Sequence, residues 1–162
     1  MNVLIGDIGN TTTKICLTEN SKFKLTKTIF FSSKKIVLNN FLLKLFKKLL
    51  KNKNLEKTAL FSSVVPKYYF ILKKFLHNTY KINLKEIKDN NINKIIKINL
   101  KNKKQIGSDR IANAVGVYKK YKSDCIVLDF GTATTFDVIT KNGIYNGGII
   151  APGVNLSIKS LI

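Results

Sequence analysis

Short apolar runs with period-two character open the chain: Val3-Leu4-Ile5 and Ile15-Cys16-Leu17 flank a polar stretch from Asp7 to Lys14. They predict strands over 2–7 and 13–18 joined by a turn, and a further strand over 24–31. The period then changes. Leu38, Phe41, Leu42, Leu45, Phe46, Leu49 and Leu50 recur at helical spacing, with Lys35, Lys44, Lys47, Lys48 and Lys51 between them, as in an amphipathic helix over about 35–51. A strand over 57–62 follows, and Pro66, suited to a first helical position, opens a helix over about 66–78. Next come a short strand near 81–87, an Asn/Lys-rich connection broken by Ile95–Ile98, and a helix over about 109–121. Strands over 125–130 and 134–140 follow it. The order is β-β-β-α-β-α-β-α and then a restart, which predicts an α/β protein with one lobe over 1–122 and the beginning of a second over 123–162.

The restart is a repeat. Residues 3–18 reappear in degenerate form at 125–140 with a constant offset of 122, which aligns Asp7 with Asp129, Gly9 with Gly131, Thr12 with Thr134, Thr13 with Thr135 and Thr18 with Thr140. A hairpin turn that combines an acid, a glycine and hydroxyl side chains offers N–H groups to a phosphate and a carboxylate to its metal ion. Two ordinary hairpins are the plainer alternative, since Gly and Asn are common turn residues and Thr suits strands. The acids discriminate. Each falls at the end of an apolar strand, where a buried carboxylate is costly without a cation or hydrogen-bond donors.

Composition narrows the class without fixing the chemistry. With 162 residues and 44% hydrophobic content the chain has enough apolar material for one domain or two small lobes. No apolar run approaches the roughly 18 residues of a membrane helix, so no membrane partner and a cytoplasmic location are expected. Cys16 and Cys125, with no CxxC, are expected as buried, reduced thiols, and the single His77 excludes histidine triads and most transition-metal sites. The net charge of +20 suggests nucleic acid, yet 28 of the 29 basic residues are lysine, and they interleave with apolar positions as a solvated helix face does. Weak adhesion to polyanions at low salt is expected, and no specific nucleic-acid partner. The lone arginine stands out. Arg110, in Gly107-Ser108-Asp109-Arg110, suggests a carboxylate gripped by a planar fork, with a surface pair to Asp109 or Asp124 as the alternative.

Asp7-x-Gly9-Asn10-Thr11, Ser62-Ser63-Val64-Val65-Pro66, Gly107-x-Asp109-Arg110, Asp129-Phe130-Gly131-Thr132-Ala133-Thr134-Thr135 and Gly147-Gly148-x-x-x-Pro152-Gly153 occur in this order. Together they resemble the type III pantothenate kinases, of the acetate and sugar kinase, Hsp70 and actin superfamily. The resemblance implies a ribonuclease-H-like two-lobe fold with ATP bound between the lobes. It also implies ATP-dependent phosphorylation of pantothenate to 4′-phosphopantothenate, the first step toward coenzyme A, in a homodimer that needs Mg²⁺ and a monovalent cation, K⁺ or NH₄⁺. By position, Asp7, Ile8, Gly9, Asn10, Thr11, Thr12, Thr13 and Lys14 match the phosphate loop, with Asp7 near the Mg²⁺, and Thr132 matches a further ATP contact. Gly107, Ser108, Asp109 and Arg110 match the pantothenate-binding stretch, Asp109 the catalytic base and Asp129 the monovalent-cation ligand. Leu100 departs from the family, which usually has a substrate-contacting Tyr there.

In phosphoryl transfer through a loose transition state a carboxylate near its normal pKa suffices to orient the acceptor hydroxyl and take its proton, so Asp109 suits the role of base. Its place at the start of a helix leaves an N-cap role open. Gly147, Gly148 and Gly153 are expected either to allow close backbone approach near the cleft or to form ordinary turns, and the sequence does not decide whether Asp137 has a role. The family's usual length of roughly 250 residues makes the second lobe incomplete here, so the 162-residue chain alone is expected to show little activity and to expose Ile149, Ile150, Val154, Leu156, Ile158, Leu161 and Ile162. A non-catalytic or regulatory relative is the alternative function. Retention of Asp7, Asp109 and Asp129 among only nine acidic residues argues for the enzyme.

Overall fold

The computed structural model describes residues 1–19 and 24–160. The chain divides into two compact units, Met1–Ile87 and Lys88–Ile162. The expected break at 122 lies elsewhere because the helix before it packs on strands that follow it, and a short strand before that helix pairs with the last strand of the second unit.

In the first unit, β1 (Asn2–Ile8), β2 (Thr12–Glu19) and β3 (Lys24–Ser32) form an antiparallel meander. After α1 (Asn39–Leu50), β4 (Thr58–Ser63) joins β1 in parallel; after α2 (Pro66–Tyr80), β5 (Asn83–Glu86) joins β4. The sheet order is β3-β2-β1-β4-β5. Its core joins Leu4, Ile8, Ile15 and Leu17 of the sheet to Leu42, Phe46 and Leu49 of α1 and to Leu72 and Leu76 of α2. These are the positions that the helical period marks on α1, and each large aliphatic side chain buried there contributes about 1.5–3 kcal/mol. The helix begins later than the pattern predicts. Residues Ser33–Val37 form a 3-10 turn instead, with Ile36 in the core and the Ser33 N–H donating to the Thr11 carbonyl at 2.9 Å. That bond ties the segment to the first hairpin, and the chain extends at Leu38 before α1 starts.

The second unit contains β6 (Lys97–Ile98), α3 (Ser108–Tyr121), β7 (Cys125–Phe130), β8 (Ala133–Ile139), β9 (Ile144–Pro152) and the short α4 (Val154–Lys159). The sheet order is β6-β9-β8-β7, with β7, β8 and β9 antiparallel. The repeat therefore extends beyond a hairpin to a three-stranded meander. Strand β9 was not expected; Gly147 and Gly148, read as sites of close backbone approach or as ordinary turns, lie within it, and Gly148 pairs with Asp137 inside the sheet.

The two hairpins also differ by one residue in the turn. Ile8 pairs with Thr13 across four intervening residues, whereas Phe130 pairs with Thr134 across three. In the structure Thr13 thus corresponds to Thr134, both buried, rather than to Thr135 as the constant offset implies. The Gly N–H closes each turn, Gly9 onto the Thr12 carbonyl at 3.1 Å and Gly131 onto that of Ala133 at 3.0 Å. Both cysteines are free; Cys16 is buried as expected, but Cys125 is only half-buried. Ile126, Leu128 and Phe130 of the edge strand β7 are exposed, as are Ile149, Ile150, Val154, Leu156 and Ile158; Leu161 and Ile162 lie outside the described residues. Among the described residues no helix is long and apolar enough to cross a membrane.

Candidate active site

The first unit holds the residues of the expected phosphate loop on one hairpin end. Asp7 is half-buried on β1, opposite Lys14 of β2 and Ser62 of β4, and the Ser62 hydroxyl donates to its Oδ1 at 2.6 Å. Ile8 and Thr13 point into the core, while Asn10, Thr11, Thr12 and Lys14 are exposed around the turn at Gly9. Ser33 braces that turn from behind: its hydroxyl donates to the Gly9 carbonyl at 2.7 Å and lies 2.8 Å from the Thr13 hydroxyl. A braced turn exposing Asn10, Thr11 and Thr12 beside a half-buried carboxylate is chemically suited to a phosphate and its cation.

In the second unit Gly107 is the N-cap of α3, so Ser108 and Asp109 occupy the first two helical positions. Asp109 is therefore not the N-cap. Its Oδ1 accepts the Arg110 N–H at 2.8 Å, a first-turn placement that the helix dipole favours, and its carboxylate remains partly accessible. Asp129 also departs from expectation. It is exposed rather than buried, because β7 is an edge strand, and its Oδ2 accepts the Asn113 side-chain N–H from α3 at 2.9 Å. Thr132 is exposed in the turn that follows.

Arg110 has a partner that sequence reasoning missed. Its Nε and Nη2 donate at 2.8 and 2.6 Å to Oδ1 of Asp137, a fully buried carboxylate on β8, and the Tyr145 hydroxyl of β9 donates to the same oxygen at 2.5 Å. Neither Asp109 nor Asp124 takes that place; Asp124 instead accepts the Lys141 N–H at 2.8 Å. Burial by itself would lower the Arg110 pKa, but the hydrogen bond and charge of Asp137 outweigh it and the net shift is upward. Burial, then the bond to Asp137, pushes the Tyr145 phenol well above its ordinary range, so it stays a donor. A signal for this pair was present: an acid inside an apolar strand calls for a cation, and only one residue offers a guanidinium fork.

Arg110 and Tyr145 line a cavity of about 260 Å³ with Leu100, Gln105, Ile106, Gly147, Gly148 and Ile150. Leu100, at the position where Tyr is usual, thus faces the same space. The glycines are required here. Gly147 has φ +89°, and a Cβ on it would meet Leu100 at 2.9 Å; a Cβ on Gly148 would collide with the Phe136 carbonyl and come within 2.9 Å of Arg110 Nη2.

The family model for type III pantothenate kinase matches residues 3–162. The chain belongs to that family. Among curated type III pantothenate kinases it is 52% identical to that of Pelagibacter ubique over 98% of its own length, and 34% identical to that of Fervidobacterium nodosum, also over 98%. In both cases the chain spans 62% of the relative's length. Among solved structures it is similar to the ethanolamine utilization protein EutJ from Carboxydothermus hydrogenoformans, with a TM-score of 0.55 at 15% identity over 94% of this chain and 52% of that one. A ROK family glucokinase from Streptomyces griseus, solved with glucose and AMPPNP, matches with a TM-score of 0.52 at 12% identity over 94% of this chain and 48% of that one. At such identity these neighbours show the fold alone, and it is the sugar-kinase and actin-like α/β fold that the sequence predicts. The Arg of the family's Gly-x-Asp-Arg stretch accordingly lines a built cavity, bonded to Asp137, whose same oxygen also accepts the Tyr145 hydroxyl.

Proposed function

We propose that this type III pantothenate kinase family member takes part in ATP-dependent phosphorylation of the terminal hydroxyl of pantothenate. The observation that carries the reading is a cavity lined by the only arginine of the chain, which follows Asp109 directly in sequence, in a chain that the family model matches almost throughout. Arg110 holds the pantothenate carboxylate through the donors that Asp137 does not take. Asp109 orients the acceptor hydroxyl and accepts its proton, since one of its oxygens remains outside the helix bond to Arg110. Asp7 to Lys14 receive the ATP phosphates, and Thr132 is a further ATP contact.

The donor set near Asp7 fits Mg²⁺, which is usually bound through one or two carboxylates with the remaining positions filled by phosphate and water. A bound Mg²⁺ supplies charge neutralisation on the phosphates. Asp129 as the ligand of a monovalent cation, K⁺ or NH₄⁺, rests on the family match alone, because its carboxylate is exposed and accepts the Asn113 side-chain N–H. A homodimer and a cytoplasmic location belong to the same proposal and rest on family membership alone.

The test is Asp109→Asn in the full gene product. Pantothenate-dependent ADP formation should fall by about 10² to 10⁴, the usual cost of losing a positioned base, with ATP binding retained. Unchanged turnover would leave Asp109 as a helix-terminus residue only.

A further inference from the structure

The strongest unassigned feature is the buried carboxylate of Asp137, which has no exposed surface. Three donors converge on its Oδ1, from Arg110 Nε, Arg110 Nη2 and Tyr145 Oη, while Oδ2 has no hydrogen-bond partner among the described residues. A buried ion pair is a poor way to gain stability, because desolvation of both charges offsets their attraction. What it does is fix geometry. With Nε and Nη2 directed at Asp137, the guanidinium plane is set, and the Nη1 protons and the second Nη2 proton lie on its other edges, uncommitted among the described residues. The backbone is adapted to the same end. Gly148 lies opposite Asp137 in the β8–β9 register, and the Cβ it lacks would come within 2.9 Å of Arg110 Nη2. Arg110 and Tyr145 both line the cavity, whereas Asp137 does not.

We propose that Asp137 is a positioning residue for substrate binding: with Tyr145 it holds the Arg110 guanidinium in the one orientation that presents its free edge to a carboxylate in the cavity. The idea rests on the function proposed above for the identity of that carboxylate, that of pantothenate. It adds a determinant of substrate affinity, two strands away in sequence from the Gly-x-Asp-Arg stretch, that acts only through Arg110. Lysine could supply the charge but not the two-edged geometry.

Arg110 is the only arginine among these 162 residues, and in the full gene product its Nε–H resonance in ¹⁵N-edited spectra is assigned by its disappearance in Arg110→Ala. The experiment uses the full gene product as wild type and as Asp137→Asn, Arg110→Ala and the double variant, with steady-state kinetics and this resonance read together. In Asp137→Asn the KM for pantothenate should rise about tenfold or more, as expected for weakening a charge-assisted bond, while kcat and the KM for ATP change less than about threefold. The Nε–H signal should shift and lose its protection from exchange. In the Arg110→Ala background the same substitution should add nothing to the pantothenate KM. A merely structural role would lower the melting temperature and the active fraction without this split. An unchanged pantothenate KM, or a full additional increase on top of Arg110→Ala, overturns the proposal. If Asp137→Asn does not fold, Tyr145→Phe removes one donor from Oδ1 and should shift the Nε–H signal and raise the pantothenate KM about two- to fivefold; no change in either overturns the proposal. Should wild type neither bind nor turn over pantothenate, the proposed function fails. The resonance then still decides the geometry, and a signal indifferent to Asp137→Asn refutes it.

Discussion

Removal of the Arg110 charge tests the energetics of the buried pair most severely. In Arg110→Met the side-chain volume is roughly kept, but Asp137 loses two of its three donors and stays fully buried. The Arg110 side chain is only 13% exposed, so solvent screens the pair little. Breaking a buried ion pair by deleting one partner costs about 3–5 kcal/mol, because the remaining charge is left uncompensated. Against a total stability of about 5–15 kcal/mol that is a large loss, and for a chain of this size it corresponds to a melting shift of roughly 10 °C. Urea and thermal unfolding at pH 7, followed by circular dichroism, measure it. The double variant Arg110→Met with Asp137→Asn should recover at least about half of the loss, since it removes the orphaned charge that causes the penalty. Arg110→Met within about 1 kcal/mol of wild type would refute the reasoning, as would a double variant no more stable than the single one.

Alkaline unfolding should carry a signature of Tyr145. Its folded pKa is raised above the ordinary value of 10, so the unfolded chain ionises first: stability is intact below about pH 10 and declines above it by up to about 1.4 kcal/mol per pH unit, and Tyr145→Phe should lack that share of the decline when denaturant midpoints are compared from pH 8 to 11. Gly148→Ala should destabilise by about 1–3 kcal/mol or more, because the added methyl collides with the Phe136 carbonyl inside the sheet, and should also weaken pantothenate binding by displacing Arg110; a folded variant with wild-type KM would contradict the close approach.

Period and spacing made most of the element order legible. The α1 face with Leu42, Phe46 and Leu49 is buried as its helical period requires, and Pro66 opens α2 at its first position. What escaped was set by contacts distant in sequence. The 3-10 turn at Ser33–Val37 exists because Ser33 bonds back to the first hairpin, at Thr11 and Gly9, which no local pattern encodes. Strand β9 was hidden by its own glycines: Gly147 and Gly148 weaken the strand signal because side chains there would strike Leu100, Phe136 and Arg110. The repeat was visible, but its register was not, since one residue fewer in the second turn shifts the threonine correspondence without changing the sequence offset. At the candidate site the lone arginine was a sound pointer. Its partner Asp137 lies 27 residues away on another element, and only the folded sheet brings the two together with Tyr145.

Phosphoryl transfer to pantothenate is the activity proposed for this family member. The most direct measurement incubates the full gene product with γ-labelled ATP, Mg²⁺, K⁺ and pantothenate, and follows the label by mass spectrometry. The account predicts label in a phosphate ester on the terminal hydroxyl of pantothenate, formed in step with ADP and lost in Asp109→Asn. ADP that appears equally without pantothenate, or a full-length product that leaves pantothenate unmodified under these conditions, would contradict it.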